Sequence, residues 1–178
     1  MGYKYDEREL LDHAVADVLE HGIAQLTFGR LAKRIGINDR SIVYYFPTKE
    51  VLVTRVLGVI GEQLQPLLAE AFGAEPLPAD ELSRRAWRVM STPKSDPVFA
   101  VFFEVVGLAA ASVPPFDAVA TQMIDDWIAW VEQCLDVPTP ERRAAATAVV
   151  AMLDGLLMMR QLLGAQIANK AAAHLGFA

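Results

Sequence analysis

LTFGRLAKRIGINDRSIVYYFPTKE (residues 26–50) holds two short apolar-periodic runs joined by one glycine. Thr27 stands where a helix N-cap is wanted, and Phe28, Leu31, Ala32 and Ile35 recur at the spacing of one helical face. Gly36 supplies the backbone freedom of a tight turn. Asn38 is suited to cap the next helix, which Pro47 must stop after two turns. Ile37, Ile42 and Phe46 are expected to point inward with Leu31, Ala32 and Ile35, leaving Arg40, Ser41, Tyr44 and Tyr45 for other surfaces. A helix-turn-helix needs this arrangement, with the outer side of its second helix open to a DNA groove. The same periodicity also fits two packing helices of a plain bundle with the tyrosines inside.

Outward from this segment, Asp6 and Glu9 have the spacing of a capping box. Leu10, Leu11, Ala14, Val15, Val18 and Leu19 then form a helical stripe that Gly22 closes. Thr48 caps a fourth helix from Lys49, which Pro66 is expected to kink or break. Further on, prolines at 76, 78, 93, 114, 115, 138 and 140 separate helix-length segments near 80–91, 97–112, 115–136 and 139–163, followed by 165–176. Thr139 as cap with Pro140 and Glu141 next is a clear helix start. Period-two alternation bounded by turns is missing, so the fold class is all-α with about nine helices.

Composition narrows the function. Hydrophobic residues make up 53 % of the 178 and charged residues 21 %, and mean hydropathy is +0.27. That excludes a disordered chain and implies more apolar surface than a small monomer hides. The net charge of −6 is unevenly placed. Residues 27–57 carry six Lys or Arg against two acids, a net +4, whereas residues 58–178 carry eight against fourteen. A local basic patch of this kind suits phosphates. The apolar stretches Val98–Val113 and Ala144–Met159 are interrupted by Glu104 and Asp154, so no membrane span is expected. The N-terminal segment has no apolar signal core, and the expected location is cytoplasmic. A single cysteine, Cys134, excludes an internal disulfide and a Cys-rich metal site. His13, His21 and His174 are scattered without metal-ligand spacing, and phosphate-loop, nucleophile-elbow and dinucleotide motifs are missing. The expectation is a non-enzyme without cofactor or metal.

The side chains of the second short helix suit duplex DNA. Arg40 has the fork that pairs with guanine O6 and N7, and Ser41 can bond a base edge or a phosphate. Tyr44 and Tyr45 offer hydroxyls to phosphates and rings to thymine methyls, while Thr27 and Lys49 sit at helix N-termini that favour phosphate. The string Thr27, Leu31-Ala32, Gly36-Ile37, Ile42, Tyr44-Tyr45-Phe46-Pro47, Thr48-Lys49-Glu50 resembles the N-terminal DNA-binding domain of TetR-family transcriptional regulators. The resemblance is specific over about residues 7–55. It implies a homodimeric regulator, usually a repressor, released from operator DNA when a small molecule enters the C-terminal domain. It divides the chain into a DNA-binding domain (1–48) and an effector-binding and dimerisation domain (49–178). It also makes Thr27, Arg40, Ser41, Tyr44, Tyr45 and Lys49 the DNA contacts. Two positions depart from it: Val43 replaces a common phosphate-contacting tyrosine, and Asp39 a common lysine or polar residue.

In the C-terminal part, Trp87, Met90, Phe99, Phe102, Phe103, Glu104, Met123, Trp127 and Met152 form a candidate effector pocket of aromatic and flexible side chains. Filling a core is the other reading of each. Glu104 needs a partner if buried; pairing with an arginine is the favoured reading, with a place at the bundle edge or contact with a cationic ligand as the alternatives. Asp154 has the same need, with Arg160 too far along the helix to meet it directly. Residues 144–163 and 165–176 are expected to pair with a second copy as a four-helix interface. The alternatives are an all-α small-molecule-binding or sequestering protein, or an interaction adaptor, that leaves its helix-turn-helix unused on DNA.

Overall fold

The computed structural model describes residues 5–177. Among them nine helices follow in order: α1 (Glu7–His21), α2 (Phe28–Ile35), α3 (Asp39–Tyr45), α4 (Lys49–Phe72), α5 (Ala79–Met90), α6 (Asp96–Ala110), α7 (Phe116–Cys134), α8 (Thr139–Leu163) and α9 (Ala165–His174). The fold is all-α. One isolated parallel bridge, Leu77 with Leu135, ties the α4–α5 connection to the end of α7.

Local chemistry starts and stops the first helices. Asp6 accepts from Glu9 N–H at 2.8 Å while Glu9 accepts from Asp6 N–H at 2.9 Å, closing the capping box of α1. Thr27, Asn38 and Thr48 accept from the first-turn amides of α2, α3 and α4. Gly36 ends α2 at φ +76°, in the left-handed region that favours glycine.

Two expectations change. Helix α4 runs unbroken through Pro66. Pro66 is exposed, so water can reach the carbonyl that loses its helical partner. At α8, Thr139 is already helical and makes no capping bond; the cap position belongs to Pro138.

The contacts define two compact units. The first joins the described residues up to Gln63 with Ala100–Val119, and the second joins Leu64–Phe99 with the described residues from Ala120 on. Helices α4 and α6 therefore each pass from one unit into the other. The core of the first unit includes Leu10, Ala14, Val18, Leu31, Ile42, Phe46 and Leu52, all buried. In the second, α8 packs on α5 and α9 and buries Val149, Leu153 and Leu157. By length and composition α4 and α8 could each cross a membrane, with mean hydropathies of 1.2 and 1.4 over their most apolar windows. Core helices of bundles pass the same test, and both helices bury one face within this protein.

Candidate nucleic-acid interface

Asp17 organises the reading head. It lies on the apolar stripe of α1, one turn from Ala14 and beside Val18, and its side chain is only 3 % exposed. Arg30 Nε donates to one carboxylate oxygen at 3.0 Å, and Arg34 to the other at 3.0 Å. His21 Nδ1 lies 3.1 Å from the same carboxylate. A buried carboxylate costs several kcal/mol unless paired in this way, so the cluster pins α2 against α1. A sequence signal for it existed: an acid on a core stripe needs a cation.

This cluster changes the charge available to DNA. Arg30 and Arg34 are committed to Asp17, with Glu20 also accepting from Arg34 at 3.1 Å. Arg55 pairs with Glu7 at 2.6 Å across α4 and α1. These acids lie on α1, before the basic segment 27–57 begins. Of the six cations in residues 27–57, Lys33, Arg40 and Lys49 make no ion pair among the described residues. Lys49 holds its ammonium 5.9 Å from the centre of the Phe116 ring.

Helix α3 divides cleanly into two faces. Ile42 and Phe46 are fully buried, whereas Tyr44 is 65 % exposed and Val43 41 %. Asp39 and Arg40 are also exposed. The Arg40 guanidinium has no hydrogen bond or ion pair among the described residues; only its backbone N–H is engaged, by Asn38. Tyr45 is different from Tyr44. It is half-buried, packs edge-on to Tyr44, and donates its hydroxyl to the Tyr5 carbonyl at 3.4 Å. Ser41 is half-buried, and Thr27 keeps its hydroxyl proton while its oxygen caps α2.

Glu104 joins α6 to the turn after α1. Its carboxylate accepts from Ile23 N–H at 2.7 Å and Ala24 N–H at 3.0 Å. The partner is thus a pair of backbone amides, where an arginine was expected. A carboxylate in this position satisfies amides that no helix reaches. Gly22 adjoins it at φ +88°, and a Cβ there would stand 2.6 Å from Glu104 Oε2. Also in the first unit, a cleft of about 380 Å3 between α1 and α4 is lined by Glu7, Arg8, Arg55 and Glu62, which pair across it.

The candidate pocket residues fall in both units. Trp87, Met90, Phe99, Met123, Trp127 and Met152 belong to the second, and Phe102, Phe103 and Glu104 to the first. Trp87, Met90 and Phe99 are buried. Trp127 stacks on Trp130 at 5.2 Å, and Trp130 on Phe72 at 5.3 Å, an aromatic ladder along α7 and the end of α4. Arg160, 6 % exposed, grips Asp96 through two bonds of 2.6 and 2.9 Å. Asp154 has no cation or donor among the described residues, and burial pushes its carboxyl up to about 6. The Cys134 thiol, half-buried, donates to the Trp130 carbonyl at 3.5 Å, and burial raises its pKa.

Comparison with known proteins finds a family likeness over about a quarter of the chain. Residues 10–56 match the family described as "Bacterial regulatory proteins, tetR family". No curated protein sequence matches the chain. Among solved structures, a TetR transcriptional regulator from Legionella pneumophila superposes with a TM-score of 0.69 at 20 % identity, covering 98 % of this chain and 97 % of the other. A transcriptional regulator from Rhodococcus sp. Rha1 gives 0.70 at 17 % identity, with 92 % and 91 % covered. The multidrug binding protein EbrR, complexed with proflavin, gives 0.59 at 24 % identity, with 94 % and 98 % covered. At these identities the likeness is one of fold.

Proposed function

We propose that this chain, whose residues 10–56 match the TetR family of bacterial regulatory proteins, is a cytoplasmic, homodimeric regulator of transcription. In this reading it represses by holding a near-palindromic operator in duplex DNA and lets go when a small apolar or amphipathic effector binds. The observation that carries the reading is the two-faced α3: Ile42 and Phe46 anchor it inside while Arg40 and Tyr44 stay open. A packing helix of a plain bundle would bury those two side chains.

Dimerisation is supported by the outer side of α8 and α9, where Leu162 is 72 % exposed, Leu163 54 % and Ile167 50 %. Large aliphatics in contiguous patches belong in interfaces. Two-fold pairing sets recognition helices ~34 Å apart, one turn of DNA. The effector site is proposed in the second unit, among Trp87, Met90, Phe99, Met123, Trp127 and Met152. The fold-level likeness to EbrR, which binds proflavin, supports an effector with flat apolar surface. Phe102 and Phe103 stay outside this proposal. Glu104 becomes a mechanical residue: α6 leaves the second unit and, through this carboxylate, holds the turn that leads into α2.

The test is selection of bound fragments from genomic DNA, followed by titration of the motif recovered. We expect a palindrome and at least tenfold weaker binding by Arg40→Ala and Tyr44→Ala. With Lys33, Arg40 and Lys49 of each protomer on phosphates, log affinity should fall against log salt with a slope of about −5 for a dimer. Unselective recovery of DNA, or full affinity in both variants, refutes the regulator.

A further inference from the structure

The open face of α3 carries one apolar side chain. A solitary exposed valine is ordinary on a protein surface. Val43 is less ordinary in its place. It lies on a seven-residue helix whose other exposed side chains, Asp39, Arg40 and Tyr44, all carry polar groups. Arg40 and Val43, three residues apart, are neighbours on that face. The adjoining Ile42 is fully buried, so the register of the helix holds Val43 outward.

We infer that Val43 reads the 5-methyl group of a thymine in the major groove, beside a guanine bound by Arg40. The inference rests on the DNA-binding reading and adds to it which base this residue selects. The edges that bases present in the major groove are hydrogen-bonding groups, with one apolar exception, the thymine methyl. Valine can neither donate nor accept, so the methyl is the groove feature with which it can make a favourable contact. Its branched side chain holds essentially one χ1 rotamer in a helix, so little freedom is lost when it meets that methyl. Arg40 and Val43 are separated by about 4.5 Å along the helix axis, against about 3.4 Å per base pair. The guanine and the thymine should therefore lie within two base-pair steps of each other.

The experiment uses the full chain and the operator recovered by selection. Each thymine in turn is replaced by deoxyuridine, which removes the methyl and nothing else. We expect wild-type binding to weaken about three- to tenfold at one thymine per half-site, roughly the effect of exposing a methyl group or two. Val43→Ala should bind more weakly by a similar factor and be indifferent to deoxyuridine at that same position. Because Val43 is exposed and alanine is the better helix former, the variant should fold normally. Equal affinity for every deoxyuridine operator overturns the inference, as does unchanged methyl discrimination in Val43→Ala. Failure to bind any selected DNA instead refutes the regulator reading beneath it.

Discussion

Replacing Gly22 by alanine tests the latch between α6 and the turn after α1. Gly22 sits at φ +88° and ψ 160°, a region open almost only to glycine, and holding alanine there costs about 1–3 kcal/mol. The new Cβ would also stand 2.6 Å from Glu104 Oε2. The Glu104 side chain is flexible enough to swing clear, so the clash itself is cheap. What is lost is the pair of bonds to Ile23 and Ala24. Bonds to a charged acceptor contribute about 1.5–3 kcal/mol each. The Ala24 bond is exposed and contributes less, so about 2–3 kcal/mol in all is reasonable. Gly22→Ala should then destabilise the first unit by roughly 3–6 kcal/mol in the wild-type background. In a Glu104→Ala background it should cost only the backbone strain, about 1–3 kcal/mol. The coupling between the two positions is the difference, about 2–3 kcal/mol.

The assay is urea unfolding of the four proteins at one fixed protomer concentration, because association shifts apparent stability. Helicity should be followed by circular dichroism. Tryptophan emission is the wrong probe, since Trp87, Trp127 and Trp130 all belong to the second unit. Additive costs, within about 0.5 kcal/mol, would refute the latch. So would full stability of Glu104→Ala, which would mean that water serves the two amides as well as the carboxylate does.

Asp154 gives a pH signature. Its carboxyl is raised from 3.8 to about 6 by burial, so between those values the folded chain holds a proton that the unfolded chain has released. Stability from this group is therefore greatest in acid and declines as pH rises through about 6, by roughly 2–3 kcal/mol at most. Asp154→Asn should be more stable than wild type at pH 8, with the gap narrowing as pH falls below about 6 and closing only below the ordinary value of 3.8; thermal melts showing a gap independent of pH would contradict this. Two turns further along α8, Leu162→Glu should shift the protein from dimer to monomer in analytical ultracentrifugation at micromolar concentration while its circular dichroism is kept. A dimer that tolerates a charge at this position uses another surface.

Much of the fold could be read from short stretches. The capping box at Asp6 and Glu9, the caps at Thr27 and Asn38 and the turn at Gly36 act over four residues or fewer. The two-faced α3 was likewise legible, because burial of Ile42 and Phe46 follows from helical period. Of the kink or break expected at Pro66, the break does not occur: an exposed proline in a long helix leaves a carbonyl that water can satisfy, so α4 continues. Tyr45 shares its hydroxyl with the Tyr5 carbonyl, a long-range contact that no local pattern announces.

Sequence alone determined that the fold is all-α, where the first three helices begin and end, and that a helix-turn-helix is present, because those signals are local and periodic. Tertiary structure decided which charges remain free. Glu104 meets amides about eighty positions away, Arg160 meets Asp96 sixty-four away, and Arg30 and Arg34 are taken by an acid on another helix. A carboxylate's need for a partner is written in its chemistry, but the choice among amide, arginine and water depends on which groups folding brings within 3 Å.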